Sequence, residues 1–226
     1  MVKQEIFGIL RDDDKARRLQ TLRHLAETDT IATTSALLDA LEEPDLQLSS
    51  RAAWILALLH SGETPPKSIA DALAVHLQTD PSEEVRVCCA IGLMWAHSKE
   101  VEKAYIHALS DKNEKVVSIA CGELGSQPSK DAVTALFTML SHPSWRIRLE
   151  VCKSLIKLKA ADGRVVSTLE KMTQEPEAIK YDAETEEFHQ HAEEIHRQYP
   201  NEPKLEMWGK IGEILAQAQQ IAAQQS

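Results

Sequence analysis

Histidine and cysteine most often bind metals or act as nucleophiles, and this chain of 226 residues has nine histidines and four cysteines. His189, Glu193 and His196 are spaced i, i+4 and i+7, which places them on one face of a predicted helix. Zinc in proteins usually has four ligands, so this trio would need a fourth from elsewhere. We interpret the trio as a solvated polar face, and we predict no bound metal and no other cofactor.

The cysteines are not arranged as a metal or redox motif. None belongs to a CxxC pair, and none has a histidine at the spacing typical of zinc sites. All lie in apolar helical segments, where cysteine packs as a small hydrophobic residue: Cys88, Cys89, Cys121 and Cys152. The sequence also has no Gly-x-Ser-x-Gly elbow, P-loop or dinucleotide-binding glycine motif. We therefore predict that the protein is not an enzyme and has no catalytic residue.

An internal repeat organises most of the chain. Apolar segments share leucines that are 31 residues apart, except for one step of 37 that contains the loop SGETPPKS. These leucines are Leu25, Leu56, Leu93, Leu124 and Leu155. A second apolar stretch precedes each segment, at residues 6–10, 37–41, 73–77, 105–109 and 136–140. Because no segment alternates as a strand does, each repeat is predicted to be a pair of helices.

The residues before each second helix are typical of helix starts. Prolines that share one repeat position are expected in the first helical turn: Pro44, Pro81 and Pro143. Asp80 with Glu83, and Asp111 with Glu114, have the spacing of a capping box with the aspartate as N-cap. Small residues in the second helices are expected to let neighbouring helices approach closely: Ala52, Cys89, Gly92 and Ala120.

These segments resemble the HEAT repeat family, in the short form that is also seen in phycobilisome lyases. The signature Asp-Pro-x-x-x-Val-Arg-x-x-Ala-x-x-Ala-Leu is matched by DPSEEVRVCCAIGL at 80–93 and HPSWRIRLEVCKSL at 142–155, with looser matches at 43–56 and 111–124 and the weakest at 12–25. The resemblance covers residues 2–172, or about five repeats. It implies an all-α fold, a right-handed α-α superhelix of the HEAT and armadillo-like solenoid class.

The periodicity weakens after residue 172, which divides the sequence into a repeat solenoid at 1–172 and an acidic C-terminal cap at 173–226. Residues 176–198 begin like another repeat but have glutamates where core residues are due. The segment 199–203 breaks the helix. A last amphipathic helix is predicted over 204–222, with an apolar stripe of Leu205, Trp208, Ile211, Leu215, Ala218 and Ala222.

The resemblance implies that one side of the second helices lines a concave surface, and in the middle repeats this side is apolar and includes Cys88. We predict a groove there for a peptide or an amphipathic helix. Its apolar or stacking anchors are Arg51, Trp54, Ile91 and Trp95. The basic rim for an acidic partner segment is Arg146, Lys153 and Lys157. Two other interpretations stay open: the helix 204–222 covers the groove, or these residues pack between repeats.

Charge and hydropathy narrow the classes of partner. The formal charge is −10, and residues 173–226 contribute seven of these charges, which argues against nucleic-acid binding. The longest apolar runs, such as 52–59, are far shorter than the roughly 20 residues that cross a bilayer. The N-terminal residues have no signal-peptide pattern. We therefore expect a cytoplasmic protein without a membrane partner.

These observations favour a non-enzymatic protein-binding, scaffold or adaptor protein. The alternatives are a bilin lyase-like or other small-molecule-binding protein, and an acidic immunity-type inhibitor of a cationic toxin. HEAT-like deoxyhypusine hydroxylases bind iron through His-Glu dipeptides, and no histidine of this chain precedes a glutamate. HEAT-like alkylpurine DNA glycosylases need a basic concave surface, and the net charge argues against one.

Overall fold

The computed structural model describes residues 2–28, 30–59, 62–178, 180–186 and 209–225, and this part of the chain is helical with no strand. The first helices of the repeats are α1 (Val2–Leu10), α3 (Thr30–Leu41), α5 (Lys67–Thr79), α7 (Lys99–Ala108), α9 (Lys130–Thr138) and α11 (Gly163–Met172). The second helices are α2 (Lys15–Thr28), α4 (Leu46–Leu59), α6 (Glu83–Gly92), α8 (Glu114–Leu124) and α10 (Trp145–Lys157). A 3-10 turn, Met139–Ser141, follows α9, and residues 176–178 and 180–186 are also helical. The last helix is α12 (Ile211–Gln225).

The chain divides into two compact units, unit 1 (Met1–Glu123) and unit 2 (Leu124–Ser226). Within unit 1, α4 packs against both its partner α3 and the next second helix, α6. The repeat leucines Leu56, Leu93, Leu124 and Leu155 are buried, whereas Leu25 is half-buried. The predicted all-helical repeat fold is therefore confirmed. The division of the sequence at residue 172 stays a prediction, because it concerns the extent of the repeat.

The predicted helix starts are displaced by two residues. Ser82 is the N-cap of α6, and its hydroxyl accepts a hydrogen bond from the Val85 N–H. The Asp80 carboxylate instead accepts from the Ser82 N–H at 2.8 Å, so it closes the turn before the helix. Pro81 accordingly precedes α6 instead of lying in its first turn. The predicted capping box was wrong here. The backbone is still extended at Ser82, so α6 begins at Glu83 and Asp80 lies two residues before the N-cap position.

The start of α8 differs in the same way. The Asn113 side chain accepts from the Lys115 N–H at 2.9 Å, and its carbonyl accepts from the Val117 N–H at 3.2 Å. Asn113 therefore has the N-cap role that the sequence pattern assigned to Asp111. The Asp111 carboxylate accepts from the Asn113 N–H at 2.8 Å and is left free to contact an arginine of the preceding repeat.

That arginine is Arg86, the arginine of the repeat signature. It donates to both Asp111 oxygens, at 2.6 and 3.0 Å, and to the Asp80 and Pro81 carbonyls. Burial raises the pKa of Asp111, but the hydrogen bonds from Arg86 and Asn113 outweigh burial and leave this pKa below its usual value. The pair therefore ties α6 to the turn before α8.

Unit 2 repeats this arrangement. Arg148 donates to both carboxylate oxygens of Glu175, at 2.5 and 2.6 Å, and to the His142 and Pro143 carbonyls. Arg86 and Arg148 stand at the same position of the repeat, six residues after Asp80 and His142. A signature arginine thus binds the preceding turn and a carboxylate of the following one.

Gly92 shows why small residues are needed where helices pack. A β-carbon at this position would lie 2.8 Å from Leu73 Cδ1 and 3.2 Å from Ala57 Cα, closer than side chains normally approach. The predicted close approach is confirmed at Gly92. Ala52, Cys89 and Ala120 are fully buried as well.

The terminal helix α12 belongs to the core of unit 2. It packs against α11 and α10, and its buried residues are Ile211, Ile214 and Ala218. The Ile211 N–H donates to Asp182 at 2.8 Å, which fixes the start of the helix. The predicted stripe is therefore correct at Ile211 and Ala218, while Leu215 is only half-buried because Ile214 points inward. Leu205 and Trp208 lie outside the described residues, as do His189, Glu193 and His196.

Candidate protein-binding site

Trp54 of α4 forms a half-buried aromatic surface in unit 1. The ammonium group of Lys15, at the start of α2, lies 4.4 Å from the centroid of the indole. A cation at this distance from an indole is attracted by the electron-rich face of the ring. Lys15 is itself exposed, so a ligand can reach the edge of this pair.

Exposed apolar residues cluster at the end of α6 and in the turn that follows: Ile91, Met94 and Trp95. Ile91 is 36% exposed and Trp95 49% exposed. Because α6 ends at Gly92, Trp95 lies in the turn before α7 and not on the helix, where the periodicity placed it. Neither side chain is sealed between repeats, so the interpretation that they are packing residues is wrong. Because α4 and α6 pack against each other, Trp54 on α4 and Trp95 in the turn after α6 belong to neighbouring repeats of unit 1.

Cys88 does not belong to the open side on which the helix rotation placed it. It is buried, and burial together with the nearby charge of Glu84 raises the pKa of its thiol to about 11, although Lys115 and Lys15 oppose the shift. At neutral pH this thiol is therefore protonated and a poor nucleophile. Cys88 lies in the middle of α6, where residues 88–90 are buried, whereas Glu84 near the start of the helix and Ile91 near its end are exposed.

Arg51 has a structural role that the sequence did not indicate. Its guanidinium donates to the Leu10 carbonyl at 2.7 Å, to the Asp12 carbonyl at 3.2 Å and to the Asp13 carboxylate at 3.1 Å. These bonds hold the turn between α1 and α2 against α4. That Arg51 is a stacking anchor for a partner stays a prediction, but its guanidinium also makes three hydrogen bonds within the chain, which limit the donors it can offer.

A cavity of about 470 Å³ opens beside Trp54. It is lined by Lys15, Arg18, Leu46, Gln47, Ser50, Arg51, Trp54 and Glu84. The sequence analysis missed Lys15 and Arg18, which come from α2, the weakest match to the repeat. A signal was present: Arg18 follows Asp12 by six residues, as Arg86 follows Asp80 and Arg148 follows His142.

The three predicted rim residues all lie on α10 of unit 2. Arg146 is exposed. Lys153 is half-buried, with its ammonium 5.1 Å from the centroid of the Tyr181 ring. Lys157 is exposed and donates to the Ser126 hydroxyl at 2.7 Å. Arg146 and Lys157 therefore remain accessible to a partner, and Lys153 is partly occupied by an aromatic contact.

Other reactive side chains are buried or paired. Burial raises the pKa of Cys152 to about 12 and that of Cys89 well above its usual value. His76 is buried, with its ring nitrogens 3.0 and 3.1 Å from the carboxylates of Asp80 and Glu42, whereas His107 is exposed. Within the residues that the structure covers, no group of three or more His, Cys, Asp or Glu side chains could hold a metal ion.

A larger cavity, of about 870 Å³, lies in unit 2 along α9 and α11. Two of its cations already have carboxylate partners: Arg148 binds Glu175, and Arg164 binds Asp162 at 2.7 Å. The Arg164 guanidinium also lies 3.6 Å from the centroid of Phe137. The charges of both arginines are therefore compensated within unit 2.

Residues 102–185 match the family model of HEAT repeats. No curated protein matches the sequence. Among solved structures, a designed armadillo repeat protein in complex with the peptide (KR)4 is similar over 96% of this chain and 98% of its own, with 15% identity and a TM-score of 0.54. Armadillo repeat proteins designed computationally for modular peptide recognition match over 98% and 99%, with 13% identity and a TM-score of 0.53.

A third structure, another designed armadillo repeat protein, covers 99% of both chains with 16% identity and a TM-score of 0.51. At such identities the likeness concerns the fold alone. The comparisons do not bear on the lyase type of repeat. In the described part of the chain, no helix combines the length and the hydropathy that crossing a membrane requires.

Proposed function

We propose that this chain, a helical repeat protein with the fold of HEAT and armadillo repeats, binds a peptide segment of another protein through the face formed by Trp54, Ile91 and Trp95. This face is called the tryptophan face below. The observation that carries the proposal is the exposure of Ile91 at the end of α6 and of Trp95 in the turn that follows, because α6 packs against α4, the helix of the half-buried Trp54. Exposed apolar groups that cluster on a folded protein are typical of contact sites.

The residue types support a protein partner. Tryptophan is enriched among the residues that contribute most to binding energy, because a large rigid ring buries much area at little entropic cost. Two of the similar structures are described as recognising peptides, and they share this fold. A basic peptide such as the (KR)4 bound in one of these structures is not proposed as the partner of this chain, because cations line the cavity beside Trp54.

Unit 2 supplies a second candidate surface on α10. We propose that the exposed Arg146 and Lys157, together with the half-buried Lys153, contact an acidic segment of a partner. Exposed cations of this kind mainly increase the rate of association and select against basic partners, while adding little affinity.

The tryptophan face can be tested by selecting random peptides of about twelve residues on the immobilised full-length chain. Binding of the selected peptides is then compared among wild type, Trp95→Ala and Ile91→Ser. Val75→Ser is the matched control, since Val75 is 55% exposed but lies on the first helix α5. We expect both site variants to weaken binding about tenfold and the control to stay within about twofold of wild type.

A failure to enrich any peptide would refute the proposal, and so would peptides whose binding is indifferent to Trp95 and Ile91. Thermal unfolding of each variant, followed by circular dichroism, verifies that the substitutions leave the fold intact. Because both residues are exposed, their replacement should change the melting temperature little.

A further inference from the structure

The cavity beside Trp54 is positively charged in a protein whose formal charge is −10. Lys15, Arg18 and Arg51 line it, and Glu84 is the one acidic residue among its lining side chains. Arg51 is paired with Asp13, whose side chain is almost fully exposed and therefore screens it weakly. The local excess of positive charge selects for an anion.

Arg18 is the most buried of these cations. The residue is only 7% exposed, and among the described residues its guanidinium makes one hydrogen bond, to the Asp12 carbonyl at 2.5 Å. Its buried Nε has no acceptor within the described residues. The charge of Asp14 is close enough to interact with Arg18, but in the described part of the chain no carboxylate accepts a hydrogen bond from its guanidinium. A buried guanidinium is costly in this state, because it has lost water without gaining a bonded counter-ion.

The other signature arginines show what Arg18 lacks. Arg86 and Arg148 each bind a preceding carbonyl, as Arg18 does, and each also binds a carboxylate of the following turn. The residue at that position after α3 is Glu43, which has no hydrogen bond or ion pair with Arg18. The first repeat thus has the arginine of the pair without its carboxylate.

We propose that the cavity binds an aspartate or glutamate side chain of a peptide partner, with Arg18 and Lys15 as counter-ions and Trp54 and Leu46 contacting the adjoining apolar residue. Leu46 is exposed at the start of α4 and lines the same cavity as Trp54. This inference rests on the proposed function and adds the chemistry of the partner: an acidic residue beside an apolar one. The occupant replaces the carboxylate that other repeats supply from within the chain.

The test uses two blocked, fluorescently labelled peptides of alternating sequence, one of glutamate and leucine and one of glutamine and leucine. Their binding to the full-length chain is followed by fluorescence anisotropy at low salt. We expect the glutamate peptide to bind about tenfold more tightly, since a charge-assisted hydrogen bond is stronger than a neutral one. We also expect this preference to decrease as salt is added.

Three substitutions that each remove one positive charge separate the cavity from general electrostatics. Lys15→Gln and Arg18→Gln should each weaken the glutamate peptide about tenfold and leave the glutamine peptide unchanged. Arg17→Gln is the matched control, because Arg17 is on the same helix but exposed and paired with Asp12 and Asp14 outside the cavity. Lys15 is exposed, so its variant keeps the test valid even if Arg18→Gln fails to fold.

Equal binding of the two peptides would overturn the inference, and so would an Arg17→Gln variant that loses as much affinity as Lys15→Gln. The outcome is separable from that of the proposed function. If selected peptides depend on Trp95 while the glutamate peptide does not bind, the carboxylate inference alone fails. If no peptide binds in either experiment, both fail.

Discussion

Replacing Arg86 with methionine should destabilise the protein by about 3 kcal/mol. The guanidinium makes two hydrogen bonds to Asp111 and two to the carbonyls of Asp80 and Pro81. Its side chain is 13% exposed and that of Asp111 is 7% exposed, so water can replace few of these bonds. Methionine keeps the aliphatic contacts of the arginine and removes its charge.

The magnitude follows from what the substitution leaves behind. Removing one partner of a buried ion pair typically costs about 3–5 kcal/mol, because the remaining charge is desolvated without compensation. Asp111 keeps the hydrogen bond from the Asn113 N–H, which favours the lower end of this range. For a protein of this size, about 3 kcal/mol corresponds to a decrease in melting temperature of about 6–12 °C.

The assay is urea unfolding of the full-length chain, followed by circular dichroism. The control is Lys67→Met, which breaks an exposed pair with Asp71 at the same 2.6 Å distance and should not change the midpoint measurably. Combining Arg86→Met with Asp111→Asn should cost less than the sum of the single variants, since no charge then stays buried.

Acid provides a second measure of the same interaction. The pKa of Asp111 is lower in the folded chain than its unfolded value of about 3.9, so the pair contributes stability above about pH 4 and loses it as the pH falls through the folded pKa. The Arg86→Met variant should therefore approach the stability of wild type at low pH. If it is as stable as Lys67→Met at pH 7, the pair is not the tie between repeats that we infer.

Five further substitutions test the close approach of helices, the burial of two tryptophans and one buried thiol. In urea unfolding, Gly92→Ala should destabilise the chain by about 1–2 kcal/mol, because its β-carbon would lie 2.8 Å from a neighbouring side chain. Gly8→Ala should instead stabilise the chain by up to about 1 kcal/mol, because nothing lies within 4 Å of its β-carbon. Equal effects of the two substitutions would contradict the inferred close approach at Gly92. Trp145→Ala should cost about 3–5 kcal/mol, since the ring is buried, and Trp95→Ala less than about 1 kcal/mol; a large loss for Trp95 would instead identify it as a core residue. Burial raises the pKa of Cys152 to about 12, while a thiol in the unfolded chain ionises near about 8.5. The free energy of unfolding should therefore fall as the pH rises above about 9. Cys152→Ala should reduce this fall, and an unchanged slope would refute the burial of the Cys152 thiol as its cause.

The helix pairs were predictable because the signals that define them are spacings and periodicities of residues close together in the sequence. Leucines 31 residues apart and apolar stretches of period 3.6 determine which segments are helical and which faces they bury. The helix starts were less predictable, since Ser82 and Asp80 both suit an N-cap and only the extended backbone between them decides which residue caps α6.

The exposure of Trp95 was predictable from its place on the side of the second helix opposite the buried residues, even though α6 ends before it. The cavity beside Trp54 could not be predicted in the same way. Lys15 and Trp54 are 39 residues apart and meet only because α2 packs against α4. The repeat position of Arg18 was visible in the sequence, but its missing carboxylate was not.

Sequence alone determined that this protein is a stack of helix pairs with buried cysteines and leucines, because burial of a periodic apolar face depends on residues close together in the chain. Tertiary structure alone decided which charges are satisfied. Arg51 is occupied by the turn after α1, and Arg86 and Arg148 are paired, while Arg18 is left without a carboxylate. Charge compensation depends on distances between groups from different repeats, and such distances are fixed only when the helices pack.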